Sequence, residues 1–147
     1  MDFKAFVLLM ESYDKDLKKT LGKLPPLHKK IASAFKFKFQ PGNELQGDCE
    51  HIGLIDNKKK TITVAAPWNY GREYTVLHEV GHLVWNGLLD DKLRKEWEGI
   101  AKRTKDKQKG QNPEELFCMA YANTYANHKV VVHTHDEWEK FIKKLPK

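Results

Sequence analysis

Phe3, Phe6, Val7, Met10, Tyr13, Leu17 and Leu21 recur at three- and four-residue intervals, with Gly22 after them. That is the stripe of a helix with one inward face and a glycine stop. Pro25-Pro26 interrupts the chain, and a short helix with Leu27, Ile31 and Ala34 inward is expected beyond it. The period then changes to two. Phe35, Phe37 and Phe39 alternate with Lys36 and Lys38, a strand with one aromatic face that Pro41-Gly42 closes. After a loop over 43–49, a second strand is expected from Glu50 to Asp56, with Ile52 and Leu54 on one face. Asn57 and Lys58-Lys59-Lys60 form a turn into a third strand, Thr61-Ile62-Thr63-Val64-Ala65, which Pro67 ends. This third strand directly precedes the next helix. It is expected at the rim of a cleft, as an edge able to pair with an extended peptide.

The helical period returns after Gly71, where Leu77, Val80, Gly81, Val84 and Leu88 mark a buried face and Asn86-Gly87 an end or bend. Asp90 onward reads as a further helix with Leu93, Trp97 and Ile100 inward, and Lys102 to Gln111 as a polar loop. Asn112-Pro113 opens the next helix, with Asn as cap, Pro at the first helical position, and Glu114 and Glu115 in the first turn. Phe117, Ala120, Tyr121 and Thr124 line one side, Cys118, Met119 and Ala122 the other, so this helix is buried almost all round. A short strand at Lys129 to His133 and a last helix from Asp136, carrying Trp138, Phe141, Ile142 and Leu145, complete the pattern. The expected class is α+β, a small antiparallel or mixed sheet packed against helices. At 147 residues the expectation is a single domain over 1–147.

Composition narrows the setting. The net charge of +6 comes from lysines spread along the chain, with clusters at 58–60 and 102–109. No aromatic interleaving or reading module accompanies it, so a solvated surface is expected and a nucleic-acid partner is not. The apolar run Phe6 to Met10 is too short, and too closely flanked by Asp2 and Glu11, for a secretory signal or a membrane span. Cys49 and Cys118 are far apart and lack C-x-x-C spacing. They point to packing or a reducing compartment, so the expected location is cytoplasmic, with leaderless export left open.

The chemistry sits in His78-Glu79-Val80-Gly81-His82. On a helix His78 and His82 lie one turn apart on one face, so both imidazoles can reach one ion. Zinc takes imidazole readily, and a catalytic site pairs three protein ligands with one water. Glu79 projects beside that face, where its carboxylate can take the water's proton. This is the metalloprotease arrangement, and Zn2+ is the expected cofactor. On a one-sided apolar helix, two histidines and a glutamate without a partner would be costly, which argues against a packing role.

The third ligand is less direct. The metzincin extension needs Gly at 85 and His at 88, where the chain has Trp85 and Leu88. His128, His133 and His135 are available downstream, and so are Glu114 and Glu115. Glu115 also stands three residues after Asn112, where a capping-box acid belongs, so residue types leave ligand and cap both open.

The motif followed by Asn112-Pro113-Glu114-Glu115-Leu116-Phe117-Cys118-Met119-Ala120-Tyr121-Ala122 resembles the gluzincin pattern of HExxH plus a distal Glu. Glu115-Leu116-Phe117 with Ala120-Tyr121 looks like the lethal factor and Pro-Pro endopeptidase branch. Glu115, Cys118, Tyr121 and Ala122 look like the ImmA/IrrE-type proteases, and the small size like the minigluzincins. The resemblance covers roughly residues 50–128 and implies a zincin-like fold with His78, His82 and Glu115 as zinc ligands and Glu79 as catalytic base. It implies a zinc metalloendopeptidase acting on a peptide or protein bound in extended form, with no membrane. The alternative is a zinc-bearing regulatory or binding module with little or no turnover. The lethal factor-like pattern departs at Met119, where it has a second acid, and at Gln108, where it has a tyrosine for the oxyanion. Tyr70, Arg72, Tyr74, Tyr121 and Tyr125 are the residues to weigh for that role, each against a packing role.

Overall fold

The computed structural model describes residues 2–41, 53–66, 71–104, 112–127 and 135–147. They form a mixed α+β arrangement of six helices and a small three-stranded mixed sheet. The expected loop over 43–49 and strand over 129–133 lie outside the described residues.

Helix α1 (Phe3–Gly22) starts at Asp2, whose Oδ1 accepts from Ala5 N at 2.7 Å. Its stripe is inward only in part. Tyr13 is buried, its ring 5.0 Å from that of Phe39, and Leu17 and Leu21 pack on the core. Phe3 and Phe6, expected inward, are instead exposed, Phe3 at 82%. Periodicity defines a face but not how far along it a partner extends.

Helix α2 (Pro26–Ser33) corrects a second expectation. Leu27 and Ile31 are half-buried and Ala34 is exposed, while His28 and Ala32 are the buried residues. A polar ring can take that place because both its nitrogens are partnered. Nε2 lies 2.8 Å from the Pro146 carbonyl, which can only accept, so Nε2 carries the proton. Nδ1 then accepts from the Tyr121 hydroxyl at 3.0 Å. With Leu27 N donating to Lys147 O at 3.0 Å, α2 holds the last residues against α5.

Burial lowers the His28 pKa below the ordinary value of 6.5, with the Pro146 hydrogen bond opposing. Between the two values the unfolded chain binds more protons than the folded one. The stability this neutral ring contributes is therefore full above about pH 6.5 and is lost as pH falls through the lowered value. The denaturation midpoint of His28→Gln should fall less steeply than wild type on acidification from pH 6.5. Equal slopes in the two chains would contradict this.

Strands β1 (Lys36–Pro41), β2 (Gly53–Asp56) and β3 (Thr61–Ala66) pair in the order β1-β3-β2, β1 parallel and β2 antiparallel to β3. The β2–β3 turn is tied by Asp56 Oδ1, which accepts from Lys58 N and Lys59 N at 3.0 Å each, and Lys60 closes it at φ 52°. One expectation changes here. β3 is the central strand, not an edge, so both its flanks are taken by β1 and β2. Within β2, register puts Gly53 beside Val64 and Ile55 beside Ile62, both buried partners. Leu54 therefore faces outward and is 53% exposed. Side chains alternate strictly in a strand, so placing Ile55 inward forces Leu54 outward.

The inner face of the sheet, with Phe39, Ile62 and Val64, meets α3 (Gly71–Gly87), which packs chiefly on α5 (Pro113–Tyr125). Helices α4 (Asp91–Arg103) and α6 (Asp136–Lys144) cover α5 from the other side. Trp97 of α4, Phe117 of α5 and Phe141 of α6 join there, the Trp97 ring 5.7 Å from Phe117 and 5.3 Å from Phe141. No helix among the described residues is long and apolar enough to cross a membrane.

Candidate metal centre

Helix α3 is buried along Val76, Leu77, Val80, Leu83 and Val84, which fixes the direction of its polar residues. Its first turn is anchored by Glu73, which pairs with Lys23 and accepts from Asn127 N at 3.0 Å. His78 and His82 then project together, ring centroids 5.2 Å apart.

Facing them is the first turn of α5, held at three points. Asn112 Oδ1 caps it by accepting from Glu115 N at 2.8 Å. Trp97 Nε1 donates to the Pro113 carbonyl at 2.7 Å. The third point is Gly81, between the histidines. A Cβ there would lie 2.9 Å from the Cα of Cys118, so α5 can approach this closely only past a glycine.

This approach brings Glu115 onto the histidines. Its Oε2 is 3.1 Å from His78 Nε2 and its Oε1 is 3.1 Å from His82 Nε2. The Asn112 cap uses only the backbone N–H of residue 115, while the Glu115 carboxylate goes to the histidine pair. Glu114 is also engaged, its Oε1 2.9 Å from His82 Nδ1. Both nitrogens of His82 thus face carboxylate oxygens, which only accept. Burial opposes charge on this ring, but hydrogen bonds to Glu115 and Glu114 and the charges of Glu115 and Glu79 outweigh it and raise the pKa to about 9. Hydrogen bonds from His78 and His82 hold the Glu115 carboxyl well below the usual carboxylate range.

Glu79 is buried, and it fits because Gly53 lies against it. A Cβ on Gly53 would stand 2.3 Å from Glu79 Oε1. Burial raises the Glu79 pKa, the charges of His78 and His82 pull it down, and that of Glu115 adds to the rise. The Tyr74 ring lies 6.2 Å from that of His78, and burial foremost keeps its phenol protonated.

One donor escaped the sequence reading. Cys118, which with Cys49 pointed to packing or a reducing compartment, is fully buried with a free thiol. Ligand atoms of His78, His82 and Cys118 all lie within 4.8 Å of one another. The signal was its position three residues after Glu115, which puts both on one face of α5. The donor set suits a divalent cation, since imidazole, carboxylate and thiolate are all ligands of zinc-like ions.

No known protein family, curated protein or solved structure matches this chain. Its site is read from its own chemistry.

The remaining residues weighed from the sequence stand apart from the pair or outside the described structure. His135 precedes α6 and its ring lies 5.3 Å from that of Trp138. Tyr121 gives its hydroxyl to His28, and the Tyr125 ring packs 5.0 Å from it, so both serve the core. Tyr70, His128, His133 and the side chain of Arg72 lie outside the described residues.

Proposed function

We propose that the chain is a zinc metallopeptidase of zincin-like type that hydrolyses peptide bonds. The observation that carries this reading is the meeting of His78 and His82 Nε2 on the Glu115 carboxylate, with the Glu79 carboxylate buried beside them. His78, His82 and Glu115 would hold the ion, and zinc so bound acidifies a water and polarises a carbonyl.

The chain's own groups supply the rest. Glu79 takes the proton of the attacking water at its carboxylate and passes it to the leaving amine. Its pKa, raised by burial, makes the carboxylate a stronger base toward that proton. Tyr74, protonated and beside His78, is suited to donate to the developing oxyanion. An extended substrate would add to the sheet at β2, an edge strand whose Gly53 abuts Glu79. The direct test is hydrolysis of mixed quenched fluorescent peptides by the zinc-replete chain. Turnover should vanish with a chelator and return with added zinc, and turnover indifferent to the chelator would overturn the proposal.

Glu114 acts through His82. A carboxylate on the outer nitrogen of a metal-binding imidazole fixes its tautomer and ring orientation, and losing it typically weakens metal affinity about 10–100-fold. Glu114→Ala should lower zinc affinity within that range in competition with a chelator, and Glu114→Gln should recover part of it through its amide oxygen. Unchanged affinity in Glu114→Ala would remove Glu114 from the centre.

A further inference from the structure

We propose that Cys118 is an additional ligand of the ion held by His78 and His82, so that the resting centre is closed by protein donors on every side. The inference rests on the metal-centre reading above. Its geometric basis is the mutual approach, within 4.8 Å, of the Cys118 thiol and the two imidazoles. The backbone enforces that approach. A Cβ on Gly81 would stand 2.9 Å from the Cys118 Cα, so the glycine between the histidines is what lets α5 bring Cys118 this close.

A buried cysteine is most often a small apolar filler. The surroundings of this one are polar. Both histidines stand beside it, with ligand atoms within 4.8 Å of its sulfur. Such an environment suits a ligand and not a methyl-sized filler. On coordination the thiol releases its proton to solvent and the thiolate sulfur binds, since the thiolate is the metal-binding form.

The consequence is latency. A catalytic zinc keeps one position for water, whereas four protein ligands make a closed, structural-type site. Two imidazoles, the Glu115 carboxylate and the Cys118 thiolate would fill all four positions. Hydrolysis then requires the sulfur to leave or the coordination to expand, and a soft ion such as cadmium, which favours sulfur, would lock the closed form.

Cobalt(II) tests this without any substrate, because a thiolate ligand adds a sulfur-to-cobalt charge-transfer band in the near ultraviolet. The full wild-type chain loaded with cobalt should show that band. Cys118→Ala and Cys118→Ser should lose it while keeping bound cobalt by elemental analysis, with thermal melting confirming that each is folded. Bound cobalt without the band in wild type, or a band that survives in both variants, overturns the role of Cys118 and leaves the histidine centre standing. Cobalt retained in full by both His78→Ala and His82→Ala overturns the centre itself, and the inference with it.

Discussion

Glu79→Gln is expected to yield a folded chain that takes up zinc normally and has lost peptide hydrolysis. The amide matches the carboxylate in shape, so the fit against Gly53 is preserved. It cannot accept the water's proton, and loss of a positioned general base typically removes about 10²–10⁴-fold in rate. Stability should hold or rise, because the substitution removes a charge from a residue that is 6% exposed. Zinc content, melting temperature and turnover, measured on one preparation, separate these effects. Turnover within about tenfold of wild type would deny Glu79 the role of base.

Zinc binding itself should collapse in His78→Ala, His82→Ala and Glu115→Ala. Each removes one of the three donors assigned to the catalytic ion, and Cys118, whose thiol must first give up a proton, does not replace it. Glu115→Ala is the most informative, because the two uses of this residue are spatially separate. The cap runs from Asn112 Oδ1 to the backbone N–H of residue 115, which alanine retains. The carboxylate goes to His78 and His82. The variant should therefore keep α5 and lose the ion, and the metal-free chain should lose only the stability that the carboxylate's bonds to His78 and His82 contribute. Equal zinc affinity in Glu115→Ala and wild type would return Glu115 to a purely structural role.

Much of this arrangement was legible in the residues. Caps and periods marked α4, α5 and α6, because Asp90, Asn112-Pro113 and the apolar spacing through Trp138, Phe141 and Ile142 are local signals. The aromatic alternation marked β1 for the same reason. What depended on distant partners was not legible. Neither strand order nor the face of Leu54 can be read locally, since β3 is central only because β1 returns to it in parallel. His28 was missed because its burial depends on Tyr121 and Pro146, far along the chain. At the site, spacing indicated that His78 and His82 share a face, and resemblance singled out Glu115. The contact of Glu114 with His82 and the approach of Cys118 arise from how closely α5 crosses α3 at Gly81, a distance no single helix encodes.

The measurement that tests the proposed activity most directly is cleavage of a diverse peptide library by the zinc-replete chain, mapped by mass spectrometry beside Glu79→Gln. Discrete cleavage sites are expected for wild type and none for the variant. Absence of cleavage by both zinc-loaded wild type and zinc-loaded Cys118→Ala, which lacks the closing sulfur, or a Glu79→Gln chain that cleaves the same sites equally well, would contradict the proposed activity.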